Sequence, residues 1–244
     1  KVCLVEKAVL CAAESSRHSG IVRSANADPD ASVMASLSSK MWKNLSETWG
    51  LDMELDEFGA IWIAKKNSDG ENPVWSQLSE RMQKIDLTFQ EIDSESAIEK
   101  CGKTLLTDEN ESYFYEPAAF QLDPSILRST LYDALDVNGV DLMEKTEVDT
   151  ILTKVNQVIG ITTNNGKIDA KNFVNATGAW SSQLFSKIGL KIPVTIEPVS
   201  VVNWMESPKQ IQYEYPIIAD YTNLCYFRSW RGNKMHAHQP RKRS

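Results

Sequence analysis

The chain has 244 residues, of which 42% are hydrophobic and 24% are charged, the composition of an ordinary globular protein. This composition excludes a wholly disordered, collagen-like or coiled-coil chain, and no apolar run approaches the roughly 18 residues that a membrane-spanning helix requires. The net charge of −7 counts against general affinity for nucleic acid, because phosphate groups demand an excess of cations.

The beginning of the chain predicts a buried strand, a loop and a long helix. Residues 2–5 are continuously apolar and are followed by Glu6, the pattern of a buried parallel strand. A loop rich in Ser and Gly follows over residues 8–27, and Asp28-Pro29-Asp30 has the chemistry of a helix start. Apolar residues then recur at helical spacing: Met34, Leu37, Met41 and Leu45. Gly50 lies where a helix C-cap belongs.

The middle of the chain predicts two further helices with a strand before them. Residues 58–64 are rich in β-forming residues and predict a strand. Pro73 opens a helix, whereas residues 86–122 are mixed and polar, so that only short elements are expected there. Asp123-Pro124 is a strong helix start, because an acid caps the helix and proline suits its first position.

Short strands are predicted after this helix. Residues 141–174 contain several of them, including a hairpin at Asn164-Asn165-Gly166, which is among the best two-residue turn signals. Residues 173–176 predict a buried strand that leads into a short helix at 180–188. Two later segments have a β-like pattern: residues 194–202 and 211–227.

The order of these elements indicates an α/β nucleotide-binding lobe interleaved with a β-rich second lobe. Residue 1 is Lys and the apolar run begins directly after it, so we expect a fragment whose first element starts upstream. The four cysteines are scattered without a C-x-x-C pair. This spacing predicts neither a disulfide framework nor a metal site, and it favours reduced thiols in the cytoplasm.

Three short motifs could carry chemistry, and each one alone has an ordinary structural explanation. Glu6 has the position of the acid that binds the ribose in dinucleotide-binding folds, although a solvated acid would look the same. The hydroxyl residues and arginines of residues 14–23 suit an anion, but also a polar surface loop. At residues 174–181 a strand meets a helix through small residues, which suits either a cofactor lying against the backbone or a tight turn.

In this order and spacing the motifs resemble those of the flavin-dependent amine and amino-acid oxidases of the D-amino-acid oxidase superfamily. This group contains sarcosine oxidase, glycine oxidase and dimethylglycine dehydrogenase. Its members have a strand followed by Glu-Lys, a Ser-x-Arg-x-x-Gly-x-x-Arg loop, a mid-chain Asp-Pro helix and a Val-x-Ala-x-Gly-Ala-Trp-Ser segment. The corresponding segments of this chain are Leu4-Val5-Glu6-Lys7, residues 15–23, Leu122-Asp123-Pro124 and residues 174–181.

The resemblance implies that the cofactor is FAD. By the resemblance, Glu6 binds the adenosine ribose and Val148 contacts the adenine side through its backbone. The other cofactor-binding residues that it implies are Lys7, Ser15, Ser16, Arg17, His18, Gly20, Ala176, Thr177 and Gly178. Some relatives attach the flavin covalently to a histidine in this loop, but a hydrogen-bonding role for His18 is favoured, since most members have a small polar residue there.

The resemblance also implies three catalytic residues. Arg23 has the position of an arginine that pairs with the substrate carboxylate, a role that suits a guanidinium fork. Lys234 and His238 match a Lys-x-x-x-His segment in which the lysine helps oxygen to react with reduced flavin. A structural role stays open for all three residues. Arg23 could be an ordinary surface arginine, and Lys234 and His238 could belong to an ordinary basic strand.

The fold that the resemblance implies is a Rossmann-like FAD-binding lobe, incomplete in this chain, interleaved with a mainly antiparallel α+β substrate lobe. We expect residues 1–57 and 122–190 in the FAD-binding lobe and residues 58–121 and 191–244 in the substrate lobe. The glycine-rich turn of the family would precede residue 1, and the segment that closes over the flavin would follow residue 244. We therefore expect this polypeptide alone to bind FAD weakly or not at all.

The implied function is FAD-dependent oxidation of the C–N bond of an amino acid or N-methylated amine, giving an imine that hydrolyses. Two alternatives stay open. One is a 2-hydroxy acid dehydrogenase on the same fold, and the other is a non-catalytic fragment or a subunit whose flavin site a partner completes. The expected partners are a small-molecule amine or amino-acid substrate and, in the last alternative, another subunit.

Overall fold

The structure, a computed structural model, describes residues 1–26, 28–49, 53–102, 105–196, 201–204, 215–230 and 234–238. The chain divides into two compact units. The first unit consists of Lys1–Ser16 and Leu131–Pro198, and the second consists of Arg17–Thr130 and Val199–Ser244. The lobe boundaries expected from the sequence refer to cofactor and substrate binding, and they stay a prediction.

The described ranges contain helices and strands in mixed order, as expected for the α/β class. The helices are α1 (Glu14–Arg17), α2 (Pro29–Trp49), α3 (Pro73–Gln83), α4 (Ser94–Lys100), α5 (Pro124–Val137) and α6 (Ser181–Ser186). The strands are β1 (Cys3–Val5), β2 (Ile21–Val22), β3 (Ala60–Lys65), β4 (Gln90–Ile92), β5 (Glu111–Glu116), β6 (Phe120–Gln121), β7 (Asp141–Met143), β8 (Val148–Lys154), β9 (Gln157–Thr163), β10 (Gly166–Ile168), β11 (Val201–Trp204), β12 (Ile217–Asp220), β13 (Cys225–Trp230) and β14 (Lys234–His238). No helix in the described ranges is both long enough and apolar enough to cross a membrane.

The first unit contains two small sheets. Strand β1 pairs in parallel with β7, with Leu4 opposite Leu142, so the apolar run that opens the sequence is a parallel strand as predicted. Strands β8, β9 and β10 form an antiparallel meander. The turn between β9 and β10 is Asn164-Asn165, which confirms the predicted hairpin.

The second unit is organised around a seven-stranded mixed sheet with the order β11-β14-β13-β12-β3-β5-β4. Strands β3 and β12 are parallel, whereas the other neighbours are antiparallel. Helix α3 packs on this sheet through Leu78 and Met82, both buried, which join a core that contains Trp62, Phe89 and Phe114. Strands β2 and β6 form a separate two-stranded antiparallel sheet.

The strand predicted at residues 173–176 is wrong. These residues have no regular secondary structure, and the side chain of Val174 is 93% exposed. The sequence has the composition of a strand, but a strand forms only where a neighbour completes its hydrogen bonds. No described strand pairs with this segment.

The β-like segments near the end of the chain are strands only in part. Residues 194–196 have no regular secondary structure, whereas β11, β12 and β13 lie within or close to the predicted regions. The remaining parts of those predictions, at residues 197–200 and 211–214, lie outside the described residues.

Helix α2 forms where the spacing of apolar residues predicts it, but three of the four predicted apolar residues do not face the interior, while Leu45 is half-buried. Met34, Leu37 and Met41 are between 57% and 71% exposed. The buried face consists of serines instead, at positions 32, 36 and 39. The Oγ atoms of Ser32 and Ser36 donate to backbone carbonyls, which satisfies their hydroxyl groups inside the fold.

Candidate functional site

Glu6 follows β1 and lies beside the end of β7. Its backbone N–H donates to Met143 O at 3.0 Å, and its carbonyl accepts from Thr146 N at 2.9 Å. The side-chain Oε1 accepts from the N–H of Ala8 at 2.8 Å. Glu6 Oε2 accepts no hydrogen bond within the described part of the chain. The carboxylate is therefore fixed at the end of a parallel strand with acceptor capacity remaining.

Lys7, which follows Glu6 at the end of β1, contacts the corner at residues 177–181. Its Nζ lies 3.9 Å from the centroid of the Trp180 ring, a cation–π contact. Trp180 ends one turn of 3₁₀ helix that begins at Gly178, which has a φ of +53°. The structure thus places the acid-bearing strand end and the Thr-Gly-Ala-Trp corner next to each other within the first unit.

Asn175 builds this corner, and the sequence analysis did not single it out. Its Oδ1 accepts from Thr177 N at 3.2 Å and from Thr177 Oγ1 at 2.7 Å, while its Nδ2 donates to Ser181 Oγ at 3.0 Å. An asparagine two residues before the group that it binds is an Asx turn, which the segment Asn-Ala-Thr would have indicated. Ala176, between them, is exposed.

Val148, Ser15 and Ser16 also lie in the first unit. Val148 begins β8 opposite Thr163 and is half-buried. Ser15 is exposed in α1, while Ser16 donates to the carbonyl of Ala13 through its N–H and its hydroxyl, at 3.2 and 3.3 Å. The predicted cofactor-binding residues of this unit therefore surround the end of β1 only in part, since no contact joins Ser15 or Ser16 to Glu6.

The loop of the second unit turns tightly at Gly20. Gly20 N donates to His18 Nδ1 at 2.9 Å, so a neutral His18 ring carries its proton on Nε2. Gly20 has a φ of +70°, and a Cβ on it would lie 2.0 Å from Leu122 O. This position therefore requires glycine, because any side chain would collide with the backbone. Arg17, which precedes the turn, is exposed.

Arg23 lines a cavity of about 370 Å³ in the second unit. Its Nη1 donates to the carbonyl of Ala25, and its Cζ lies 4.9 Å from the centroid of the Trp62 ring. The rest of the wall is mainly apolar or aromatic, with Ile21, Ile217, Tyr221, Leu224 and Tyr226 among its residues, but it also includes Ser19 and the acid Asp220. A carboxylate entering this cavity would find a guanidinium in a largely apolar surrounding, where a charged hydrogen bond is strong.

Glu116, which the sequence analysis missed, lies behind Arg23. Its side chain is fully buried, and Oε1 accepts from the N–H groups of Ser24 and Ala25 at 2.5 and 3.0 Å. Burial raises the pKa of Glu116, whereas these N–H groups and the charge of Arg23 act in the opposite direction. The alternation of β5 could have indicated this residue, because Glu116 shares a strand face with the core residue Phe114.

Lys234 and His238 are the first and last residues of β14, which pairs with β11 and β13. Their side chains lie outside what the structure describes, so the catalytic roles implied for them stay predictions. Among the residues that are described, no group of three His, Cys, Asp or Glu side chains could hold a metal ion.

The comparisons with known proteins identify one family. A family model described as "FAD dependent oxidoreductase" (DAO) matches residues 1–239. The mouse mitochondrial pyruvate dehydrogenase phosphatase regulatory subunit is 23% identical over 233 residues, which are 95% of this chain and 26% of that protein. Glycine oxidase of Pseudomonas aeruginosa is 33% identical over 72 residues, which are 30% of this chain and 20% of that enzyme.

Solved structures share the fold. L-Proline dehydrogenase from P. horikoshii superposes with a TM-score of 0.85 at 21% identity, covering 97% of this chain and 62% of that one. Glycine oxidase from Geobacillus kaustophilus superposes with a TM-score of 0.77 at 21% identity, covering 100% of this chain and 66% of that one. The chain therefore spans about a quarter of the mouse protein and less than two thirds of the proline dehydrogenase chain.

The residues of the chain fit an FAD cofactor by their chemistry. Glu6 offers a carboxylate acceptor to ribose hydroxyls at the end of a parallel strand. A Cβ on Gly178 would meet no atom within 4 Å, so the backbone of that corner is open to a ligand. These features agree with the match of the family model over residues 1–239, and the chain belongs to the DAO family of FAD-dependent oxidoreductases.

Proposed function

We propose that the protein oxidises the C–N bond of an amino acid or N-methylated amine, with the cavity of the second unit holding the substrate. One observation carries this proposal, namely the guanidinium of Arg23 on the wall of a mainly apolar cavity of about 370 Å³. That volume suits a small molecule. A guanidinium matches the two oxygens of a carboxylate, and the apolar wall strengthens the pairing.

The family resemblance implies FAD-binding residues in each unit. In the first unit these are Glu6 for the ribose hydroxyls, the Val148 backbone for the adenine side, and the corner at residues 176–178 with its neighbour Lys7. By the resemblance alone, Ser15 and Ser16 of the first unit and the turn at residues 17–20 of the second unit are cofactor contacts. His18 takes the hydrogen-bonding role, which is supported by its bond from Gly20 N.

When bound, FAD supplies the acceptor for the hydride that leaves the carbon next to the substrate nitrogen. The chain's own residues would orient the substrate. Arg23 would hold the carboxylate end, and Trp62, Tyr221 and Tyr226 would supply aromatic walls beside the reacting carbon. Lys234 would support reoxidation of the reduced cofactor by oxygen, with His238 on the same strand, by the resemblance alone.

Anaerobic reduction of the protein in the presence of excess FAD, which offsets the weak binding expected from the sequence, tests this function. We expect sarcosine, glycine or proline to bleach the flavin absorbance near 450 nm, and 2-hydroxyglutarate to leave it unchanged. Arg23→Met should raise the half-saturating amino-acid concentration by about 10- to 100-fold, because it removes a hydrogen-bonded charge pair. Arg81→Met, at an exposed position of α3, is the matched control and should behave as the wild type. Bleaching by 2-hydroxyglutarate alone would instead establish the dehydrogenase alternative.

A non-catalytic subunit is a second candidate, and the mouse relative motivates it. That protein is named as a regulatory subunit, and its similarity extends over 95% of this chain. Sarcosine oxidase subunit beta of Rhizobium meliloti, 22% identical over 205 residues, is likewise named as a subunit. If FAD binds and none of the amines or amino acids reduces it, this candidate replaces the oxidase.

A further inference from the structure

The carboxylate of Glu116 joins two parts of the cavity wall. Oε1 accepts from Ser24 N and Ala25 N, which belong to the segment that carries Arg23. Oε2 accepts from the indole Nε1 of Trp62 at 3.1 Å, and Trp62 belongs to β3. Both Arg23 and Trp62 line the cavity. One buried side chain at the end of β5 therefore holds two of its walls.

These contacts form a closed ring of interactions. Ala25 donates its N–H to Glu116 and accepts from Arg23 Nη1 through its carbonyl. The Arg23 guanidinium lies over the Trp62 ring, and the Trp62 indole returns to Glu116. Each group has a partner on both sides, so a shift of one moves the others.

Stability alone gives a poor reason for an acid at this position. Removing a carboxylate from water is costly, and apolar residues of similar volume often stabilise a core as well or better. The surrounding core of the second unit is apolar and aromatic. What the carboxylate adds is three directed hydrogen bonds to the groups that shape the cavity.

We propose that Glu116 is a positioning residue, which holds Arg23 and Trp62 in the arrangement that receives the carboxylate group of a ligand. This inference rests on the proposed role of Arg23 in the cavity. Glu116 does not itself line the cavity, so it acts through its two neighbours. Its removal should weaken carboxylate ligands selectively, while uncharged ligands of the same shape should bind as before.

Glu116→Gln is the sharpest variant, because the amide keeps the size of the side chain. One end of the amide still accepts from Ser24 and Ala25, but its NH₂ then faces the indole N–H of Trp62. Two donors cannot pair, so the Trp62 link is lost along with the charge. Trp62→Phe removes the indole N–H and keeps an aromatic ring under Arg23. In the double variant Glu116→Gln/Trp62→Phe, the amide NH₂ therefore no longer faces a second donor.

Isothermal titration calorimetry with benzoate and benzamide separates charge recognition from shape. The wild-type chain should bind benzoate at least about ten times more tightly than benzamide, a difference of one decade in Kd. Glu116→Gln should weaken benzoate about ten-fold and leave benzamide unchanged. Glu111→Gln, the same substitution at the other end of β5, is the matched control and should change neither ligand.

Substituting Glu116 and Trp62 together tests whether the two residues act on ligand binding through each other. The single Trp62→Phe variant provides a test if Glu116→Gln does not fold. Trp62→Phe alone should weaken benzoate about three-fold, and the double variant should be weakened by less than the product of the two single effects. If Glu116→Gln does not fold, the three-fold selective loss in Trp62→Phe still supports the proposal, and an equal loss for benzamide refutes it.

The outcomes distinguish this inference from the proposed function. If Arg23→Met abolishes the preference for benzoate and Glu116→Gln does not alter it, Glu116 is structural and the positioning role is refuted. If the wild type itself shows no preference and Arg23→Met has no effect, the assignment of Arg23 as the carboxylate anchor fails first. Loss of both ligands in Glu116→Gln would likewise overturn the positioning role, because it indicates general damage to the cavity.

Discussion

Glu116 couples the stability of the second unit to pH. Burial raises its pKa above the ordinary value of 4.5, so the folded protein binds this proton more tightly than the unfolded chain does. In the pH range between 4.5 and the raised pKa, the folded state therefore holds more protons. The contribution of Glu116 to the free energy of unfolding must then decrease as the pH rises through that range, and become constant above it.

Urea unfolding of the wild type and of Glu116→Gln, at pH values from about 4.5 to about 8, measures this contribution. The wild type should lose free energy of unfolding relative to Glu116→Gln as the pH rises, since the glutamine does not titrate. The subtraction removes the effects of the other carboxyl groups. A difference that grows with pH would mean that folding lowers the pKa of Glu116.

At the scale of single residues, the sequence indicated those groups whose chemistry is local. Glu6 could be placed at the end of a strand because a short apolar run precedes it, whereas Gly20 was named only through the family resemblance. Asn175 also has a local signal, because its threonine partner is only two positions away. The strand alternation of β5 could place Glu116 on the core face, but its role depends on Ser24, 92 positions away, which no local pattern reveals.

Helix α2 turns serines inward and apolar residues outward, which predicts how substitutions on its two faces change stability. Leu37 is 57% exposed, so Leu37→Gln should change the free energy of unfolding by less than about 0.5 kcal/mol. Ser36 is 6% exposed, so Ser36→Leu should destabilise by about 1–3 kcal/mol through overpacking. Urea denaturation of both variants measures the two effects. A larger loss for Leu37→Gln than for Ser36→Leu would contradict the orientation of the helix.

Elements with strong local signals were predicted well, whereas those that depend on distant partners were not. The Asp-Pro start of α5 and the Asn-Asn turn before β10 need only their own residues. A serine-lined buried face, as in α2, carries no hydrophobic periodicity, so the apolar spacing gave the helix without its orientation. Residues 173–176 show the converse case, with strand composition and no described strand beside them.

The two units differ in their buried apolar content. In the described part of the first unit, the buried hydrophobic side chains are Leu10, Ala134 and Ile151. The second unit has two clusters on its seven-stranded sheet, which include Trp62, Phe114 and Ile61. Local opening costs less where fewer apolar contacts are lost.

Amide hydrogen exchange should therefore separate the units. We expect the amides of β3 and β5 to exchange slowest and those of β8 and β9 to exchange faster, although both pairs are hydrogen-bonded antiparallel strands. The segment at residues 173–176 should exchange without measurable protection, because no strand in the described part of the chain pairs with it. Equal protection of the two strand pairs would show that buried apolar content does not set the order of opening.

The aromatic stack beside the cavity has an optical consequence. Trp62 lies 5.4 Å from Trp75 and 5.6 Å from Tyr221, measured between ring centroids, with interplanar angles of 51° and 26°. Rings held in fixed, asymmetric packing give near-ultraviolet circular dichroism, which vanishes when that packing loosens. Trp62 and Tyr221 also line the cavity. We therefore expect a ligand that binds in the cavity to change the near-ultraviolet circular dichroism, so this spectrum can report ligand binding without an added label.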